Sequence, residues 1–175
     1  MIKNLLLASL MILLLLPPLT TAGVVNEEIL DAINKTCIPA AEMALAGVRL
    51  GDSRVLVESH LGTPNPRTDQ DPAGALAFPG LSIRLHASRV QSVLATSSKW
   101  STPAGIRPGL SQSEVGAILG FDLDSIESPH SKSPTGYHIH RCIEPGEQID
   151  VEQYIRLEPS TDRTIRAVEI FWVAP

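Results

Sequence analysis

The sequence has no C-x-x-C pair, no run of basic residues and no serine set in a G-x-S-x-G turn. Its two cysteines, Cys37 and Cys142, are too far apart for a closely spaced redox pair, which excludes a thioredoxin-type site. Acidic residues outnumber basic ones by 19 to 14, for a net charge of −5, and the basic residues do not cluster. Nucleic acid and anionic membrane surfaces are thereby excluded as partners. Without the G-x-S-x-G elbow, serine catalysis has no scaffold. Neither glycine pair described below is followed by the lysine of a phosphate loop. Nothing in the composition points to a cofactor.

What is present begins with a leader. Lys3 precedes an apolar run, Leu5–Leu16, then Pro17-Pro18 and the small residues Thr20-Thr21-Ala22. A charged start, a short apolar core and small residues at the cleavage point form a secretory signal peptide. The run stops well short of the roughly 20 residues that a spanning helix requires. Cleavage after Ala22 is therefore expected, with a periplasmic or secreted product. No cysteine follows the leader to accept a lipid, so no membrane attachment is expected after cleavage. In an exported chain an even pair of cysteines most often forms a disulfide. Bridging Cys37 to Cys142 closes a loop worth about 4–5 kcal/mol in the chain-entropy account.

One stretch is written twice. "GVRLGDSRVLVESHLG" (47–62) and "GIRPGLSQSEVGAILG" (105–120) align without a gap. They share Gly47/Gly105, Arg49/Arg107, Gly51/Gly109, Ser53/Ser111, Val57/Val115, Leu61/Leu119 and Gly62/Gly120. Each reads as a tight turn at the second glycine, a serine N-cap, a short amphipathic helix and a glycine stop. In the second copy Ser111 and Glu114 form a capping box, and Val115, Ile118 and Leu119 share a face. The first copy has Leu56 in place of the acid.

Strand patterns follow each helix. Residues 81–87 alternate, with Leu81, Ile83 and Leu85 on one side and Ser82, Arg84 and His86 on the other. Residues 89–97 read as the hairpin partner. In the second half, 137–142, 149–157 and 164–173 read as strands separated by turns at 144–147 and 159–162. Val90 and Val93 match Ile165 and Val168 at the same three-residue spacing. Residues 63–75 and 124–136 read as loops. The expected fold is α+β: two tandem repeats of a helix plus an antiparallel meander, with the helices packed on one face of a curved sheet. The corresponding segments are a leader at 1–22, an N-terminal segment at 23–46, repeats at 47–98 and 105–175, and a linker at 99–104. Trp100, in the linker, is expected to seal the junction between halves.

The pattern Gly51-x-Ser53-x-x-x-Val57-x-x-x-Leu61-Gly62-x-Pro64, with its second copy from Gly109 to Gly120, resembles the signature of SmpA/OmlA-type envelope domains. These are grouped with the β-lactamase inhibitor protein, a tandem duplication in which helices pack on a curved antiparallel sheet. The resemblance implies an envelope protein that acts by binding another protein. The outer-membrane members are lipoproteins, whereas this chain lacks the lipid-accepting cysteine.

Two functional readings follow. In the first, the chain is a non-enzymatic module that binds another envelope protein, as an inhibitor, an immunity-type factor or an assembly accessory. Alternation places His138, His140, Glu152, Tyr154 and Arg156 on the outward face of the second-half strands, opposite Ile139, Val151, Ile155 and Leu157. Phe171 is expected outward and Trp172 inward. Tyr and Arg at such positions match the composition of interface hot spots. In the second reading, His138 and His140 bind a metal, with Glu152 or Asp150 adding a carboxylate, in a metal-dependent enzyme. The first is preferred, with no metal and no catalytic residue assigned.

Titration of thiols in the unfolded, unreduced protein is expected to find no free sulfhydryl. Two titratable thiols would refute the Cys37–Cys142 bridge.

Overall fold

A computed structural model describes residues 34–65, 75–126, 132–133, 136–144, 147 and 152–173. The leader at 1–22 lies outside the described residues, as do Asp150, Val151 and most of the 63–75 loop. The fold is α+β, as the alternating strands and two capped helices lead one to expect. A short hairpin of β1 (Ala44–Leu45) and β2 (Val48–Arg49) leads into helix α1 (Arg54–Leu61). Then come β3 (Leu76–Phe78), β4 (Leu81–His86) and β5 (Arg89–Ala95). The second half holds α2 (Gln112–Leu119), β6 (Lys132–Ser133), β7 (Gly136–His140), β8 (Glu152–Pro159) and β9 (Ile165–Val173). Strands β3 to β9 form one antiparallel sheet in the order β3-β4-β5-β9-β8-β7-β6.

The halves meet where β5 pairs with β9, with Val93 opposite Ile170 and Ala95 opposite Val168. A continuous apolar row crosses the sheet through Leu76, Ile83, Val93, Ile170, Ile155 and Ile139, all buried. A second row runs through Phe78, Leu81, Ala95, Val168, Leu157 and Tyr137. Burying each large side chain of these rows contributes about 1.5–3 kcal/mol over leaving it in water. Val57 of α1 and Val115 of α2 join the same core, so both helices cover this one face.

The lead-ins to the helices make matching backbone contacts. The Gly51 and Gly109 amides donate to the carbonyls of Val90 and Ile165, at 2.9 and 2.7 Å. In return the Val90 and Ile165 amides donate to Asp52 and Leu110, at 2.9 and 2.7 Å. Gly51 and Gly109 sit at φ of 84° and 95°, a region that side chains disfavour. Ser53 caps α1 by accepting from the Leu56 amide at 3.3 Å. Ser111 caps α2 with the full box: its oxygen accepts from the Glu114 amide at 3.2 Å, and its amide donates to the Glu114 carboxylate at 2.7 Å.

The N-terminal segment is stitched to β7. Ile38 donates to the His140 carbonyl and accepts from the Cys142 amide, both at 2.8 Å, in a parallel bridge. The Cys37–Cys142 disulfide closes the same junction, with the Cα atoms 4.9 Å apart. Asn34 completes it, its side-chain amide exchanging two 3.1 Å hydrogen bonds with the backbone of Ile143.

Several expectations are corrected. Ile118 is 39% exposed, and the buried position next to Val115 is Gly116. A Cβ at Gly116 would meet the Phe121 carbonyl oxygen at 3.0 Å, so the helix approaches the following turn too closely for a side chain there. Segment 124–136 is not wholly loop, since it ends a 3-10 turn (Leu123–Ser125) and contains β6. Pro159, expected in a turn, still pairs with Ile165 across β8 and β9. Trp172 is half-buried rather than core and donates to the Val90 carbonyl at 3.3 Å. In the linker, Trp100 packs half-buried against the core and donates to the Pro79 carbonyl at 2.9 Å.

Ser53→Ala and Ser111→Ala are each expected to destabilise by about 0.5–2 kcal/mol, the usual range for a lost N-cap. Ser111 should cost more, because its cap is reciprocated by Glu114. Urea unfolding checks this, and an unchanged midpoint for Ser111→Ala would refute the box.

Candidate functional site

The face of the sheet opposite the core is not bare. Register aligns His140, Tyr154, Phe171 and Ser92 in one row across β7, β8, β9 and β5. The next row aligns His138, Arg156, Glu169 and Leu94. The structure thus brings His138, His140, Tyr154, Arg156 and Phe171 together, with the exposed Glu152 at the end of β8. The alternation of Ile155 and Leu157 toward the core forces this, because a strand cannot bury one parity without presenting the other.

The rings pack on one another. Tyr154 and Phe171 stack with centroids 5.5 Å apart, and Tyr154 lies 5.2 Å from His140. His138 meets Phe171 edge-on at 5.9 Å. Arg156 pairs with Glu169 at 2.6 Å and with Glu158 at 3.1 Å, and Glu158 also receives Arg166 at 3.3 Å. Tyr154 donates its phenol proton to Glu152. Burial, reinforced by the Glu152 carboxylate, pushes the Tyr154 phenol up to about 12. Burial, with the Arg156 guanidinium beside it, lowers the pKa of His138 below the ordinary imidazole value. The shift favours the neutral ring. Among the described residues, two buried atoms of this layer have no hydrogen-bond partner, His138 Nε2 and Arg156 Nε.

Beside the layer lies a cleft of about 220 Å³, lined by Arg84, Gln91, Ser92, Arg156, Glu169, Phe171 and Trp172. Arg84 and Glu169 fall on the outward parity of their strands. Gln91 and Ser92 come into the cleft through a bulge: Arg84 pairs with Ser92 but Leu85 pairs with Val90, leaving Gln91 as an extra residue. The one visible signal for it was the three-residue spacing of Val90 and Val93, which strict alternation cannot produce.

For metal chemistry, His138 and His140 do share the outward face. Among the described residues no group of three His, Cys, Asp or Glu side chains is placed to hold an ion. Glu152 is engaged by Tyr154.

An NMR titration is expected to place the His138 midpoint below the ordinary value of about 6.5. A histidine whose folded pKa is depressed contributes stability that is complete above its unfolded value and lost as pH falls through the folded one. Acidification below about pH 6.5 should therefore destabilise the wild type more than His138→Gln. An identical acid loss in both proteins would remove His138 as its source.

No protein-family model matches the chain, and no curated protein matches it. Two solved structures are similar. One is the crystal structure of a DUF4309 family protein (YjgB) from Bacillus subtilis subsp. subtilis strain 168, 13% identical, with a TM-score of 0.41, covering 85% of this chain and 95% of that one. The other is an extracellular protein containing a SCP domain from Bacillus anthracis strain Ames, 10% identical, with a TM-score of 0.39. It is matched over 77% of this chain but 45% of its own length, so the chain spans less than half of that protein.

Proposed function

We propose that the protein is an exported, non-enzymatic binding module whose docking surface is the outward face of β7, β8 and β9. The observation that carries this reading is the ring layer on the sheet face away from the core. His138, His140, Tyr154 and Phe171 are half-buried against one another although both helices cover the opposite face. Such a layer is already ordered before a partner arrives, so docking costs little side-chain entropy. Tyr and Arg are enriched among the few residues that carry most of the energy at protein interfaces, because each buries a large area while keeping a polar group.

Export is supported by the leader and by the disulfide, a bond that persists in oxidising compartments. The likeness of the repeated helix motif to SmpA/OmlA-type domains supports an envelope protein as the partner, bound as an inhibitor, an immunity factor or an assembly accessory would bind it.

Tyr154→Ala and Phe171→Ala are expected to weaken capture of the envelope partner at least tenfold, about 1.4 kcal/mol, with Glu152→Gln closer to neutral at the rim. Binding is measured on variants whose far-ultraviolet circular dichroism matches the wild type. His140→Ala serves as the milder probe should either ring deletion disturb the sheet. Unchanged affinity in folded Tyr154→Ala and His140→Ala would move the interface elsewhere.

A further inference from the structure

The bulge beside the ring layer has a counterpart in the second half, and the two carry different side chains. In β9 the register also slips: Glu158 pairs with Ala167 but Pro159 pairs with Ile165, so Arg166 is the extra residue. Arg84, Gln91 and Ser92 at the first bulge therefore hold the positions of Glu158, Arg166 and Ala167 at the second. At the second bulge the charges answer each other across the strands, with Arg166 to Glu158 at 3.3 Å. At the first, Arg84 stands opposite Ser92, beside the extra residue Gln91, and has no ion-pair or hydrogen-bond partner among the described residues.

Ser92, only 5% exposed as a residue, also lines the cleft, and its hydroxyl has no side-chain partner among the described residues. Glu169, the acidic residue of the lining, is held by Arg156 at 2.6 Å. The lining thus carries two guanidinium groups against one carboxylate that is already paired, a local positive excess in a chain of net charge −5. Its free donors are the Arg84 fork, the Gln91 amide and the Ser92 hydroxyl. Trp172 forms part of the wall and is fixed by its 3.3 Å bond to the Val90 carbonyl.

We propose that this cleft receives a carboxylate, the side chain of an aspartate or glutamate presented by the protein partner. The proposal rests on the docking face described above and specifies its chemistry. Arg84 meets the carboxylate with its two-pronged guanidinium, the geometry in which arginine binds such groups most strongly. Gln91 and Ser92 donate from the bulge. The incoming carboxylate takes, at the first bulge, the part that Glu158 plays within the chain at the second.

The test uses the full-length folded protein and small probes. N-acetylglutamate N-methylamide, which carries one side-chain carboxylate, is titrated against the isotope-labelled chain, alongside its glutamine counterpart and inorganic phosphate. Saturable shifts are expected at the amides of Gln91, Ser92 and Phe171 with the glutamate probe. Binding should be at least tenfold weaker for the glutamine probe and for Arg84→Gln, and partly retained in Arg84→Lys. Arg84 is exposed and unpaired, so these variants should fold, and matching circular dichroism checks it. No saturable shift with the glutamate probe, equal binding of the glutamine probe, or undiminished binding to Arg84→Gln would each overturn the proposal. Tighter binding of phosphate than of the glutamate probe would overturn the carboxylate assignment. Should Tyr154→Ala lose partner capture while Arg84→Gln keeps it in full, the docking face stands and the carboxylate site falls.

Discussion

The pairing of β5 with β9 is the contact on which the molecule is organised. Among the described residues it is the place where the strands of the first half bond to those of the second, and its register sets both faces of the sheet at once. Because Val93 stands opposite Ile170 and Ala95 opposite Val168, the apolar rows of the two halves join into one core. The same register places Ser92 beside Phe171 and Leu94 beside Glu169 on the other face. A slip by one residue would send the valine and isoleucine outward and bury the glutamate. The outward rows are therefore a consequence of how the core closes.

What holds that register is a clamp at the start of each central strand. Gly51 and Asp52 exchange backbone bonds with Val90, while Gly109 and Leu110 exchange them with Ile165. Just before each clamped residue the chain passes through a left-handed conformation, at Ser88 and Arg163, both with φ of 63°. Just after it comes a bulge, at Gln91 and Arg166. A bulge bends its strand and strengthens the local twist. It also explains why inward residues lie three apart in both strands. The clamp orients the serine cap as well, since Ser53 bridges to Arg89 and Ser111 to Thr164. The helix start and the strand start are thus one structural unit.

Much of this was legible in the sequence, and the exceptions have physical causes. The helices announce themselves through local chemistry: a serine cap, a capping acid and a glycine stop act within a few residues. The strands β4, β5, β7, β8 and β9 are long enough for alternation to show. Strand β3 is not, since Leu76–Phe78 spans one period and a half. The two-residue strands β1, β2 and β6 exist only through their partners. Ile118 was misplaced because the helix template assumes that an apolar side chain outranks glycine for a buried position. Here the close approach of the Phe121 carbonyl reverses that order. Trp172 has inward parity, yet it lies near the end of the β8–β9 ladder, opposite Gln153 and one residue from the exposed Val173. The outward rows of β7 and β8 could be read from parity alone. The cleft could not, because it depends on Arg84, Ser92 and Arg156, which are far apart in the chain and meet only through register.

The two halves agree where the fold constrains them and differ where it does not. Inward positions carry buried apolar side chains in both, because the core must be filled at near-crystalline density and a change of volume there is felt at once. Outward positions related by the same backbone geometry carry unlike side chains: Arg84 against Glu158, Gln91 against Arg166, Ser92 against Ala167. Folding does not require an arginine at position 84, since that residue is exposed and surface substitutions typically change stability by well under 1 kcal/mol. The second half spends its outward charges on each other, in the cluster of Arg156, Arg166, Glu158 and Glu169. The first half leaves Arg84 unanswered, next to the place where the ring layer of the second half ends at Phe171. A guanidinium without a partner among the described residues gains no ion-pair energy within them. In the proposal made above, the carboxylate of a binding partner supplies the opposite charge.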